Sequence, residues 1–307
     1  MKKFVITGGA GFIGSHLVRY LLKAESGAKI IVIDNLSTGS IDNLFSIMGK
    51  IEFENIDITE YNRLGQLLYN ADCVFHLAAI PSVTESIQKS ILTNKVNLSG
   101  SLNILEAARK NNVKKVILSS SCAVYGNAER KKIDEETPPY PLSPYALQKK
   151  ASEDYFRIYN EIHGLNALAL RYFNVFGERQ DPHSDYAAVI PKFIKLAKEG
   201  EKLRIFGDGK QTRDFIYAGE IARANYLAYK SDEKKGVFNI GSGNSISINS
   251  LANMIVDIAG SKSEIVHEPE RKGEVRNSCS DSSLAEKKIG FKVNISLEDA
   301  IKKLILG

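Results

Sequence analysis

Short apolar runs and longer amphipathic stretches alternate along the first half of this chain. Strand-like runs fall at 3–7, 29–33, 51–54, 73–76, 115–119 and 167–171. Helical periodicity fills 12–23, 60–69, 90–111 and 143–163. Such β-α alternation predicts a parallel sheet with helices on both faces. Phe4-Val5-Ile6 and Ile30-Ile31-Val32-Ile33 are apolar without interruption, as strands buried on both faces should be. The predicted fold is α/β, a Rossmann-type doubly wound parallel sheet with a smaller mixed α/β lobe.

Beyond Arg171 the rhythm becomes irregular. Helical stretches at 187–199, 247–259 and 297–306 surround a glycine-rich segment at 206–213 and a strand at 237–240. This places a first domain at 1–171 and a second at 172–307. The 237–240 strand is expected to cross back to the first.

Composition narrows the classes. A hydrophobic fraction of 43% and a charged fraction of 25% fit a soluble globular protein. The net charge of +5 is spread thinly, which argues against nucleic-acid binding and suits an anionic small molecule. Cys73, Cys122 and Cys279 lie far apart without CxxC spacing, so reduced thiols and a cytoplasmic location are expected. The dispersed histidines suggest no metal site, and His76 reads as a packed residue. The apolar run after Met1-Lys2-Lys3 stops at Thr7, too soon for a signal peptide. No apolar stretch is long enough for a bilayer.

Candidate chemistry begins at Gly8, Gly11 and Gly14, a GxxGxxG spacing between strand and helix. Glycines there permit close approach of a pyrophosphate to a helix N-terminus. Asp34 closes the next strand, where an acid accepts from ribose hydroxyls and repels the extra phosphate of NADP. The pattern therefore favours NAD. Asp57 suits either an adenine contact or a helix cap. Ser119-Ser120-Ser121 ends a further strand and reads either as hydroxyls at a ligand site or as the start of a loop.

Tyr145 and Lys149 are four residues apart in a predicted helix, hence on one face. An ammonium nearby favours phenolate and lowers a tyrosine pKa. Such a tyrosine can take a proton from a sugar hydroxyl.

Together these residues resemble the extended short-chain dehydrogenase/reductases, and in particular the UDP-hexose 4-epimerases, over essentially the whole chain. The likeness continues in Asp34-Asn35-Leu36-Ser37-Thr38-Gly39, His76-Leu77-Ala78-Ala79, Val124-Tyr125-Gly126, Arg171-Tyr172-Phe173-Asn174 and Gln211-Thr212-Arg213-Asp214. The resemblance implies catalytic roles for Ser121, Tyr145 and Lys149. For NAD it implies Gly8, Gly11, Phe12, Ile13, Gly14, Asp34, Asn35, Ser37, Thr38, Gly39, Asp57, Ile58, Ala78, Ala79, Asn97 and Tyr172, besides Tyr145 and Lys149. For the nucleotide sugar it implies Ser82, Asn174, Ala188, Val189, Phe206, Arg213, Arg271, Glu274 and Ser278, with Ser121 and Tyr145. The implied reaction is oxidation of the sugar at C4, rotation of the 4-keto sugar, and return of hydride to its other face.

Related dehydratases place an Asp-Glu pair just after the catalytic serine or threonine, and many decarboxylases a Glu. Here Cys122 and Ala123 stand there, which favours an epimerase. Ser278 matches a position that gates the sugar pocket and leaves room for a 2-acetamido group, or is an ordinary loop serine. UDP-glucose/UDP-galactose and UDP-N-acetylglucosamine/UDP-N-acetylgalactosamine are thus the expected substrates. A homodimer through 90–111 and 143–163 is implied as well. A non-catalytic NAD-binding redox sensor is the opposing reading, and it predicts that Tyr145 or Lys149 would be missing.

Overall fold

The computed structural model describes residues 1–128, 130–181, 189–270 and 276–307. Seven parallel strands form the central sheet. They are β1 (Lys3–Thr7), β2 (Lys29–Ile33), β3 (Glu52–Glu54), β4 (Cys73–His76), β5 (Val116–Ser121), β6 (Ala167–Tyr172) and β10 (Lys235–Ile240), in the order β10-β6-β5-β4-β1-β2-β3. The chain order reverses direction at β1, which makes the ends of β1 and β4 the switch point where ligands bind in such sheets.

Both faces of the sheet are covered because its strands are apolar on both sides. Phe4 and Ile6 point to one layer with Leu17, Val18 and Leu21 of α1 (Phe12–Ala24) and with Ile221 and Ala224 of α8 (Ala218–Lys230). Val5, Ile31 and Ile33 point to the other, with Leu64 of α2 (Tyr61–Leu68), Ile104 of α5 (Gly100–Lys110) and Phe156 of α6 (Pro144–His163). A third core lies under β7 (Asn174–Phe176), α7 (Val189–Glu199), β8 (Leu203–Phe206), β9 (Thr212–Tyr217), α9 (Ile248–Ala259) and α11 (Leu297–Leu306). There β11 (Ser245–Ser247), β9 and β7 make a small sheet, and β12 (Ile265–Glu268) pairs with β8. The helix α10 (Ser283–Ile289) packs back beside β10.

The segment expected as one helix over 90–111 is interrupted. After α3 (Val83–Gln88) come α4 (Ser90–Asn94), a wide π-turn at Lys95–Ser99, and then α5. Asn97 lies inside that turn. Its side chain accepts from Ile80 N at 2.8 Å and donates to Ile80 O at 3.1 Å and Gln148 Oε1 at 2.8 Å. Helical periodicity alone does not reveal such a bulge, which is set by a tertiary contact. The three serines at 119–121 lie within β5 rather than opening a loop. No described helix is long and apolar enough to cross a membrane.

Candidate active site

The glycine loop is shaped by contacts that forbid side chains. Gly8 has φ +71°, and a Cβ there would stand 2.6 Å from Ala78 N. A Cβ on Gly14 would collide with the Gly8 carbonyl oxygen. The loop therefore packs backbone on backbone and opens directly into α1, whose N-cap is Gly11 without a side-chain cap. That leaves first-turn N–H groups for an anion.

Asp34 is buried at the end of β2. Its carboxylate accepts from Ala10 N and Leu36 N, both at 2.9 Å. Burial raises its pKa against the pull of these bonds. The acid therefore holds the glycine loop in place while retaining lone pairs for a ribose. Asn35 donates to Asp57 Oδ2 at 2.8 Å, and Asp57 Oδ1 accepts from Thr59 N at 2.8 Å. The N-cap of α2 is Glu60, so Asp57 turns the loop ahead of the helix.

A cavity of about 470 Å³ runs across the carboxyl ends of these strands. Of the expected cofactor residues, its walls include Gly8, Gly11, Phe12, Ile13, Gly14, Asp34, Asn35, Ser37, Thr38, Asp57, Ile58, Ala78, Ala79, Tyr145, Lys149 and Tyr172. Gly39 packs behind Asp34, and a Cβ there would stand 3.1 Å from Asp34 Oδ2. Asn97 sits behind the wall, pinning Ile80. Tyr172 offers its ring; its hydroxyl bonds Asn225 of α8. Ser119 and Ser120, read from the sequence either as ligand-site hydroxyls or as a loop start, line the same cavity; sequence reasoning gave no such role to Pro81, Phe173, Val175 and Gln180, which line it too. Gln180 Oε1 is buried and has no hydrogen-bond partner among the described residues. No periodicity marks a wall residue on an irregular loop.

At the far end of the cavity stand the candidate catalytic groups. Ser143 caps α6 by accepting from Ala146 N, and Pro144 starts the helix. This projects Tyr145 and Lys149 toward the end of β5. The Tyr145 phenol shares a hydrogen bond with Ser121. Ser121 Oγ also accepts from Ala123 N at 3.1 Å. Lys149 Nζ donates to the Ser119 carbonyl at 2.7 Å and lies 5.9 Å from the Tyr145 ring centroid.

The electrostatics differ from the expectation that Lys149 lowers the Tyr145 pKa. Burial pushes the phenol up to about 12, with the Ser121 bond pulling the other way. Burial also pushes Lys149 down to about 8, opposed by Glu153. At about 8 the amine still keeps its proton at neutral pH, and burial sets the direction of the Tyr145 shift in the protein alone.

Beneath the site His76 bridges Thr7 Oγ1 at 2.7 Å and Ser101 Oγ at 2.9 Å. Burial, with Lys149 nearby, takes it down to about 3, so it is neutral. Ser120 Oγ donates to Glu153 Oε1 at 2.5 Å, and Arg171 grips Glu153 bidentately at 2.8 and 2.6 Å. Arg171 also reaches the Tyr125 hydroxyl at 2.7 Å. These buried pairs fix β5, β6 and α6 together under the reacting groups.

The expected substrate residues lie in and around the second lobe. Ser82 caps α3 by accepting from Glu85 N at 3.0 Å. Asn174 Nδ2 donates to Asp214 O at 2.8 Å. Val189 opens α7, and Phe206 closes β8. Arg213 is on β9, its Nη1 donating to Thr212 O at 2.9 Å. Ser278 is buried and donates its N–H to Thr212 O at 3.1 Å. Arg213 and Asp214 are close enough to Cys122 for their charges to act on its thiol, which burial raises to about 12. Ala188, Arg271 and Glu274 lie outside the described residues.

Residues 4–241 match the sequence profile described as the NAD dependent epimerase/dehydratase family. The chain belongs to this family. A solved structure of the UDP-N-acetylglucosamine 4-epimerase from Methanobrevibacter ruminantium M1, in complex with UDP-N-acetylmuramic acid, has a TM-score of 0.95 and 42% identity. That match covers 99% of this chain and 97% of the other. The putative UDP-glucose 4-epimerase of Methanocaldococcus jannaschii is 39% identical over 98% of this chain and 96% of its own length. The UDP-N-acetyl-alpha-D-glucosaminuronate decarboxylase of Bacillus cytotoxicus is 36% identical over 99% of this chain and 97% of its own.

The residues fit the family's cofactor. The loop between Gly8 and Gly14 admits no side chain where a pyrophosphate would approach. Asp34 would offer ribose hydroxyls an acceptor, and Gln180 Oε1 is a second buried acceptor, unpaired among the described residues. What the arrangement can do chemically is exchange a proton at the Tyr145 oxygen through Ser121, beside a groove that accepts a dinucleotide.

Proposed function

We propose that this protein reversibly epimerises UDP-hexoses at C4, taking UDP-N-acetylglucosamine/UDP-N-acetylgalactosamine as well as UDP-glucose/UDP-galactose. The observation that carries the reading is the Ser121–Tyr145–Lys149 cluster followed by two residues that are not acids, Cys122 and Ala123. NAD, when bound, supplies the hydride acceptor, and its cationic ring favours phenolate in a tyrosine beside it.

Tyr145 takes the proton of the sugar 4-hydroxyl, and Ser121 orients that oxygen while sharing the Tyr145 proton. Lys149, held by the Ser119 carbonyl, binds ribose hydroxyls and supplies positive charge near the phenol. Arg213 and Arg271 clamp the diphosphate, as guanidinium groups do well, with Asn174 beside them. The hexose is then free to present either face of its 4-keto form. The half-buried Cys122 thiol, raised to about 12, offers no group suited to removing a C5 proton near neutral pH.

A decarboxylase acting on a UDP-uronic acid is the second reading, favoured by the Bacillus cytotoxicus relative. The missing acid after Ser121 speaks against it. We take 1–171 with β10 as the NAD domain and the rest of 172–307 as the nucleotide-sugar domain, in a cytoplasmic protein. Incubation with UDP-galactose, UDP-N-acetylgalactosamine and UDP-glucuronate tests the reading. C4 epimers support it, and carbon dioxide release without epimers overturns it.

We also propose a homodimer. Ile91 on α4 and Leu147 on α6 are 87% and 60% exposed, and apolar faces on two neighbouring helices suit an isologous four-helix contact. Ile91→Asp should give a monomer in sedimentation; a wild-type monomer at micromolar concentration contradicts the proposal.

A further inference from the structure

Asp214, fully buried on β9, accepts five hydrogen bonds. Oδ1 takes Ser242 N at 2.8 Å and Ser242 Oγ at 2.6 Å. Oδ2 takes Ser280 N at 2.8 Å, Ser280 Oγ at 2.6 Å and Gly243 N at 3.1 Å. The acid thus fastens to β9 both the turn that follows β10 and the segment that carries Ser278.

The same residue reaches the other side of the lobe through its backbone. Its carbonyl accepts from the Asn174 side chain at 2.8 Å. Ser278 N donates to Thr212 O at 3.1 Å, so the 278–280 segment is pinned at two points, Thr212 and Asp214, that flank Arg213. A Cβ on Gly241 would lie 2.9 Å from Asp214 Oδ2, which shows how closely the turn wraps the carboxylate.

A buried carboxylate is tolerated only when donors satisfy it. An apolar side chain could fill such a space, so five donors converging on one acid define an arrangement rather than merely occupy volume. We infer that Asp214 is a positioning residue for nucleotide-sugar binding, setting where Arg213, Asn174 and Ser278 stand relative to one another. This rests on the UDP-sugar reading above. Asp214 is not among the residues that line the NAD cavity, so its effect should fall on sugar-nucleotide affinity and leave cofactor binding alone.

The test uses NAD-loaded full-length protein, wild type, Asp214→Asn and Ser280→Ala. UDP and UDP-N-acetylglucosamine are titrated calorimetrically, and KM, kcat and NAD content are measured. Losing a hydrogen bond to a charged acceptor should weaken both ligands and raise KM by about tenfold. NAD content should be unchanged and kcat should stay within about twofold, because a raised KM with kcat kept marks a loss of binding common to ground state and transition state. Should Asp214→Asn not fold, Ser280→Ala, which keeps every backbone donor, must show the same split. Affinity equal to wild type in the folded variants, or a fall in kcat with KM unchanged, overturns the inference. Failure of wild type to bind UDP overturns the UDP-sugar reading and the inference with it. UDP bound equally by all three overturns the inference alone.

Discussion

Lys149 Nζ donates to the Ser119 carbonyl oxygen at 2.7 Å, two residues before the serine that bonds Tyr145. One turn of α6 and the last turn of a strand therefore share a buried ammonium, and burial holds it down to about 8. The proposed reaction would use this charge, and burial makes the fold tolerate it at a cost.

That cost is measurable. The folded-state pKa of Lys149 lies below its unfolded value of 10.5, so the unfolded chain keeps a proton that the folded chain gives up between about 8 and 10.5. Stability rises with pH across this window, and the full penalty applies below it. Lys149→Met should therefore stabilise the protein by about 1–3 kcal/mol at pH 7, a gain that shrinks toward pH 10.5, while activity is lost. Denaturant midpoints at pH 7 and pH 10 check this. A variant less stable than wild type at pH 7 contradicts it.

Tyr145 is a phenol in the protein alone, because burial raises it to about 12. Binding of NAD should bring it down, since a cationic ring favours phenolate. Difference absorbance titrations, with Tyr145→Phe as the blank, should show tyrosinate forming at lower pH with NAD than without it. An unchanged midpoint would mean that the cofactor's charge does not reach the phenol.

Asp34 binds its own loop as well as the expected ribose. Asp34→Asn turns one acceptor into a donor facing Ala10 N or Leu36 N. NADH affinity should fall by about tenfold to a hundredfold, the worth of one or two bonds to a charged group, while preference for NADP rises relative to NAD. Titration of NADH fluorescence reads both. Unchanged affinity would remove Asp34 from the cofactor site.

Ser278 is buried beside Thr212. A large aromatic there should exclude a 2-acetamido group, so Ser278→Tyr should lower kcat/KM for the N-acetylated sugars by at least about tenfold relative to the plain hexoses, a pocket-size effect of ordinary magnitude. Equal losses on both would exclude a gating role.

Much of this was legible in the residues. Apolar runs such as Phe4-Val5-Ile6 announce a doubly covered sheet because few other environments accept them. The Tyr145/Lys149 pair is readable because helix geometry converts spacing into a shared face. Other features depend on contacts that spacing does not encode. The π-turn around Asn97 exists because that side chain holds Ile80, and the Tyr145 pKa follows burial that no local pattern reveals. Gln180 reaches the cavity from an irregular loop. Asp214 stood in a recognisable motif, yet the five donors around it come from segments 28 to 66 residues away.

The most direct test is to follow UDP-galactose and UDP-N-acetylgalactosamine by proton NMR with NAD-loaded protein. The anomeric signals should convert to those of the gluco epimers, and the same mixture should be reached starting from either epimer. Tyr145→Phe should slow this by about 10²–10⁴-fold, the worth of a positioned general base. No conversion of either sugar by wild type, or conversion that Tyr145→Phe leaves unchanged, would contradict the account.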